Sequence, residues 1–90
     1  KEKEVSAYKK RIEEVGDTDI DDRLFQELFN LGAETFSLDD DYIARKLDVS
    51  RSTVERWKKG ETAPVPTIRK TILKRLVELE TQFLFGVLTN

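Results

Sequence analysis

The sequence predicts an all-α fold, a compact bundle of about five helices, on three observations. Apolar residues recur at spacings of three and four along most of the chain, as they do on one face of a helix. No segment alternates polar and apolar residues as a half-buried strand would. The 90 residues can build one compact core but not two. Residues 1–90 are therefore expected to form a single helical domain.

Two helices are expected before residue 33. The first ends at Gly16 and has a narrow apolar stripe, formed by Val5, Tyr8, Ile12 and Val15. The second begins after N-cap oxygens offered by residues 17–19 and ends at Gly32. Its apolar residues, which should form an aromatic-rich wall of the core, are Ile20, Leu24, Phe25, Leu28, Phe29 and Leu31.

A third helix is expected from Asp40 to Leu47. Asp39 is its expected N-cap, and Ser37 is a rival cap one turn earlier. The two residues after Leu47 break the helical pattern.

Two further helices complete the chain. Ser50 is the expected N-cap of a helix over about residues 51–59, which Gly60 closes. Residues 63–66 form a loop, because proline lacks an amide hydrogen and disfavours helical geometry in the residue before it. The last helix opens at residue 66 or 67 and continues into the eighties.

The composition excludes most catalytic chemistry. Cysteine and histidine are absent, which removes disulfides, thiolate nucleophiles, histidine catalysis and the usual zinc ligands. We therefore expect neither an enzyme nor a cofactor. No apolar run is long enough to span a membrane or resembles a signal peptide, so no membrane contact is expected. Methionine is absent even at position 1, which indicates a processed chain or a piece of a larger protein.

The net charge of −2 conceals an asymmetry. Residues 1–41 hold 6 Lys and Arg against 13 Asp and Glu, residues 42–76 hold 10 against 3, and residues 77–90 hold none against 2. The balances are −7, +7 and −2. A basic middle segment is typical of a surface that binds a polyanion, although ordinary solvated helix faces give the same counts.

The basic segment contains a set of spaced matches to a known motif. They are a small residue at Ala44, an apolar turn residue at Val49, a cap at Ser50, buried anchors at Val54 and Trp57, and the exit Gly60-Glu-Thr-Ala-Pro64. With these residues, the stretch from Asp40 to Lys59 resembles the helix-turn-helix of the lambda-repressor-like class, the Cro/C1 or xenobiotic-response-element type. The resemblance covers roughly residues 38–76.

The resemblance implies a sequence-specific binder of double-stranded DNA, a transcriptional regulator of bacterial or phage type. It places the helix at about residues 51–59 in the major groove and implies a homodimer. A cytoplasmic, nucleoid-associated location follows as an expectation. The candidate DNA contacts are Arg45, Arg51, Ser52, Thr53, Glu55, Arg56, Lys58 and Lys59.

Each candidate has a chemical reason. A guanidinium at Arg51 or Arg56 can pair with guanine or grip a phosphate. The short hydroxyls of Ser52 and Thr53 can bond a phosphate or a base edge. Glu55 can accept from cytosine, but we expect it to pair with a basic residue four positions away. The two lysines that end the helix complement its dipole with or without DNA.

The opposite face of this helix is apolar. On a helical wheel Val54 and Trp57 lie together, so Trp57 is expected to anchor the core rather than to stack on bases. An isolated helix of this kind would also suit a membrane surface or an acidic protein, but two apolar side chains are better matched to docking on a neighbouring helix.

Some positions depart from the family pattern. Asp40 stands where the family often has a glutamine that touches a phosphate, and its carboxylate would repel the DNA backbone. Either this edge is then expected to lie farther from the DNA, or contacts are expected from Arg45, Lys46 and the segment after Gly60 instead. Asp48 replaces a glycine that is common in the turn, so a left-handed conformation at a modest cost is expected there.

The chain divides into acidic helices at residues 1–37, a helix-turn-helix core at 38–76 and a helix end at 77–90. The apolar segments 83–85 and 87–88 in the last part are expected either at a dimer contact or packed against the first helix.

Two expectations concern charges outside the motif. Arg69 and Lys70 carry positive charge into the last helix, where they are expected to flank the DNA backbone. The alternative function is a protein-interaction module on the same scaffold, with the acidic amino-terminal part as its surface. A second interpretation of the acidic part is that it contacts the basic face of its own chain and restrains DNA binding. A further domain or protein partner is also expected.

Overall fold

The computed structural model describes the backbone of residues 2–89 and the side chains of residues 3–79. The described residues form five helices and no strand, which confirms the predicted all-α bundle. The helices are α1 (Glu2–Glu14), α2 (Asp22–Thr35), α3 (Asp40–Leu47), α4 (Arg51–Lys59) and α5 (Pro66–Thr89). α5 reaches the eighties as predicted, but the apolar side chains of 83–85 and 87–88 lie outside the described part of the chain.

α2 lies at the centre of the bundle. It packs against α1, α4 and α5, while α3 packs against α4 and α5. The aromatic side chains of Phe25 and Phe29 on α2 are fully buried, and Trp57 of α4 meets both of them edge-on at ring-centroid distances of 5.7 and 5.6 Å. Such edge-to-face contacts add to the stabilisation that burial already provides. Trp57 is thus the core anchor that its helical-wheel position predicts.

The predicted start of α2 is wrong. Its N-cap is Asp21, whose side chain accepts a hydrogen bond of 2.8 Å from the Leu24 amide. Residues 17–18 instead belong to a turn in which the Asp19 amide donates to the Gly16 carbonyl at 3.1 Å. Several acidic and hydroxyl side chains in a row offer equivalent caps, so composition alone does not select among them. Ile20 therefore precedes α2, although it is buried as expected.

The predicted end of α2 is also wrong, because the helix continues through Gly32 to Thr35. Gly32 is buried, and a Cβ there would lie 2.6 Å from the hydroxyl oxygen of Tyr8. This glycine allows α1 and α2 to approach closely and does not terminate the helix. Leu31, which was expected in the core wall, is 40% exposed.

Tyr8 joins α1 to α2 by a buried hydrogen bond. Its hydroxyl donates to the Leu28 carbonyl at 2.9 Å, and its ring meets Phe36 edge-on at 5.3 Å. Burial raises the pKa of Tyr8 well above its ordinary value, against a smaller opposing effect of Arg11. The hydroxyl is therefore held in its neutral, donating form.

The predicted limits of α3 are confirmed. The side chain of Asp39 caps the helix by accepting from the Tyr42 amide at 2.8 Å, whereas Ser37 has a positive φ of 54° and lies outside it. Asp48 ends α3 with φ 56° and ψ 47°, the left-handed conformation expected for it. The connection to α4 is therefore a tight turn of three residues, 48–50.

Candidate nucleic-acid interface

α4 presents a polar face to solvent because its apolar face is used by the core. Val54 is fully buried and Trp57 is 7% exposed. Ser52, Arg56 and Lys59, on the opposite side of the helix, are all exposed. The separation predicted from the helical wheel is therefore present in the fold.

Hydroxyl groups define the start of α4. Ser50 is the N-cap, as predicted, and its Oγ accepts from the Thr53 amide at 3.1 Å. The same Oγ lies 2.8 Å from the Thr53 hydroxyl and 3.2 Å from the Ser52 hydroxyl. Thr53 is half-buried, whereas Ser52 is exposed and receives a long hydrogen bond of 3.5 Å from Arg56. Ser52 is thus the more accessible hydroxyl of the two candidates.

The end of α4 is held by two amide side chains of α2. Gln26 and Asn30 both donate to the carbonyl of Lys58, at 3.1 and 2.9 Å. Gly60 follows in the left-handed conformation, with φ 77°, and a Cβ there would lie 2.6 Å from Oε1 of Gln26. Orphan carbonyls at a helix end require such partners. α4 is therefore fixed at both ends.

Sequence reasoning missed this contact between α2 and the end of α4. A signal was present, since Gln26 and Asn30 are polar residues four apart, each directly after a core phenylalanine. A polar pair beside the apolar face of a central helix indicates a partly buried polar contact. The sequence gives no indication of which carbonyl the pair would bind.

Carboxylates surround two of the candidate DNA contacts. Arg51 pairs with Glu55 four residues on, as predicted, at 3.3 Å between Nε and Oε1. It also pairs with Asp41 of α3 at 3.3 Å. Lys58 pairs with Asp40 of α3 at 2.5 Å. These contacts between the start of α3 and α4 were not predicted.

Four cations of α3 and α4 are exposed and form no ion pair with any side chain that the structure describes; they are Arg45, Lys46, Arg56 and Lys59. Arg45 lines a shallow concavity between α3 and α4 together with Arg51 and the turn residues Asp48 and Val49. Lys46 lies over the ring of Tyr42, 5.7 Å from its centroid. The structure thus brings Arg45 beside the start of α4.

The side chains of Arg69 and Lys70, which were expected to flank the DNA backbone, are instead largely buried. Arg69 is 6% exposed and donates to the carbonyls of Pro64 and Ile20, at 2.7 and 2.9 Å, and to the Asp22 carboxylate at 2.7 Å. The side chain of Lys70 is 16% exposed and donates to a backbone carbonyl at 2.7 Å. Both cations satisfy backbone groups of the α1–α2 connection or of the loop before α5, so the prediction that they flank DNA is wrong.

Other kinds of site find no support in the described residues. Within the described part of the chain, no cluster of acidic, histidine or cysteine side chains is arranged to hold a metal ion. None of the helices, as far as they are described, is both long and apolar enough to cross a membrane.

Comparison with family models, curated proteins and solved structures finds no match to this chain.

Proposed function

We propose that this protein binds double-stranded DNA, with α3, the turn at 48–50 and α4 acting as a helix-turn-helix. α4 enters the major groove, and α3 braces it. The observation that carries the proposal is the exposed polar face of α4, on a helix whose apolar face is wholly used by the core. With nine residues, α4 is of a length that fits the major groove.

The exposed residues divide by the chemistry that they offer. Arg56 and Ser52 lie on the outer face of α4 and are proposed to contact base edges, because a guanidinium pairs well with guanine. Lys59 and Arg45 are proposed to contact phosphates on either side of the groove. Arg51, Glu55 and Lys58 already form ion pairs within the protein and Thr53 is half-buried, so the contribution of these four residues to binding is proposed to be smaller.

Burial weighs against one alternative for α4. A helix that lies on a membrane surface needs a free apolar face, and Val54 and Trp57 are buried in the core. The protein-interaction alternative is separated from DNA binding by experiment. Binding to a duplex should weaken steeply as salt rises, because phosphate contacts release counterions. No duplex binding at low salt would favour a protein partner.

A homodimer is part of the proposal, since one short helix reads only a few base pairs and a two-fold pair doubles the contacts. Selection of bound duplexes from a random pool identifies the preferred sequence. Half-sites about 34 Å apart, one helical turn, are expected for a two-fold pair. Recovery of a single half-site only would contradict the dimer.

Arg56→Ala tests the proposed base contact. The substitution should weaken binding to the selected duplex by roughly 1–3 kcal/mol and relax one base preference. Lys9→Ala is the matched control, because Lys9 is exposed on α1, which packs against α2 and α5 and not against α4. Unchanged affinity and preference in Arg56→Ala would remove Arg56 from this role.

A further inference from the structure

Two carboxylates at the start of α3 reach opposite ends of α4. Asp40 pairs with Lys58, and their side chains are only 23% and 27% exposed. Asp41 pairs with Arg51, and both of those side chains are about 60% exposed. Arg51 and Lys58 are seven positions apart, about 10 Å along the helix axis. The acidic pair therefore spans almost the whole of α4.

This arrangement changes the charge that a polyanion would meet. Arg51 lies between Asp41 and Glu55, so the three groups together carry one excess negative charge. Asp40 and Lys58 together are neutral. A cation that is already paired contributes less to phosphate binding, and a carboxylate on the same edge repels phosphate. Apart from Arg45 on α3, the edge of α4 that faces α3 thus offers little attraction to a DNA backbone, while the outer face of α4 keeps Arg56 and Lys59.

We propose that Asp40 and Asp41 suppress sequence-independent binding of α4 to the DNA backbone and thereby raise its selectivity between duplex sequences. This rests on the proposed function. The two carboxylates withdraw Lys58 and Arg51 from phosphates. Affinity then depends on the outer face of α4, where Arg56 and Ser52 meet base edges. Only a duplex whose bases match these two side chains compensates for the lost phosphate contacts.

The two ion pairs differ in strength. The pair of Asp40 and Lys58 is partly buried and is screened little by salt, whereas the pair of Asp41 and Arg51 is exposed and weak. Asp41 therefore releases Arg51 more readily than Asp40 releases Lys58. Of the two single variants, Asp40→Asn should give the larger gain in non-specific binding.

The test measures binding of a random-sequence duplex over a range of salt concentrations. The double variant Asp40→Asn/Asp41→Asn should bind at least about tenfold more tightly at low salt. Its plot of log affinity against log salt should be steeper by about 0.9 to 1.8, since each cation that gains a phosphate adds about 0.9 and Glu55 still pairs with Arg51. The ratio of affinities for the selected duplex and the random duplex should fall.

The control is Glu4→Gln/Glu13→Gln, which changes net charge equally on exposed positions of α1. Both aspartates lie in the first turn of α3, so thermal unfolding of every variant checks that the fold is kept. The two single variants are measured beside the double variant. An equal gain in the control, or a wild-type slope in the folded aspartate variants, overturns the inference. Failure of wild type and variants alike to bind any duplex at low salt refutes the proposed function instead.

Discussion

Arg69→Ala should be among the most destabilising substitutions in this protein. The side chain is 6% exposed, and its guanidinium donates to two backbone carbonyls and one carboxylate. One of those carbonyls belongs to Ile20, 49 residues away, so the contact ties the α1–α2 connection to the start of α5. Truncation leaves the two backbone carbonyls without this donor in a buried position.

The magnitude follows from the exposure of each partner. The carboxylate of Asp22 is 84% exposed, so the ion pair itself contributes at most about 1 kcal/mol. Hydrogen bonds from a charged donor contribute about 1.5–3 kcal/mol each, and Arg69 makes two to backbone carbonyls. The expected loss is therefore about 3–7 kcal/mol, a large part of the roughly 5–15 kcal/mol that stabilises a typical domain.

Urea unfolding followed by fluorescence measures this loss, because Trp57 is the single tryptophan and is buried in the core. Asp22→Asn is the matched control, since it removes the exposed carboxylate beside Arg69 and keeps the contacts of Arg69 with both carbonyls. Its free energy of unfolding should fall by about 1 kcal/mol or less. Lys74→Ala, on an exposed position of the same helix, should change stability by less than about 0.5 kcal/mol. A loss below about 1 kcal/mol in Arg69→Ala, or an equal loss in Asp22→Asn, would refute the reasoning.

Two further predictions concern the contact of α1 with α2. Because burial raises the pKa of Tyr8, the unfolded chain loses this proton first, so stability should fall as pH rises above about 10. Tyr8→Phe should be less stable than wild type at pH 7 by about 1–2 kcal/mol, but its stability should fall less as pH rises above about 10. Urea unfolding at several pH values measures both effects, and an equal fall in the two proteins would contradict the role given to Tyr8. Gly32→Ala should lower the free energy of unfolding by about 1–3 kcal/mol, since the new Cβ would meet Tyr8 at 2.6 Å and Leu76 at 2.9 Å. An unchanged unfolding midpoint would contradict this, because it would show that the helices move apart freely.

The features that sequence reasoning predicted correctly are those determined by neighbouring residues. The caps Asp39 and Ser50, the left-handed Asp48, the end of α4 at Gly60 and the opening of α5 at residue 66 or 67 all depend on backbone groups within a few positions. Local chemistry is sufficient to specify them. The periodicity of α4 likewise places Trp57 in the core without reference to the rest of the chain.

The features that sequence reasoning missed depend on partners far along the chain. Gly32 lies inside a helix with Tyr8 packed close to it, and Arg69 is buried where it donates to the carbonyl of Ile20. Gln26 and Asn30 face the end of α4, about thirty residues away. A charged or small residue looks the same in the sequence whether or not such a partner exists, so these roles emerge only from the fold.

The basic balance of residues 42–76 overstates the positive surface that the fold presents. Of its ten cations, five pair with carboxylates among the described side chains; they are Arg51, Lys58, Arg69, Lys70 and Arg75. Four of the others lie on α3 and α4, and the proposed DNA binding depends on three of these, Arg45, Arg56 and Lys59. In the proposed complex with DNA, so few free cations make the general attraction to phosphate weak, and the orientation of α4 matters more. Under that proposal, the amides of Gln26 and Asn30 bear on recognition because they fix one end of α4 from α2.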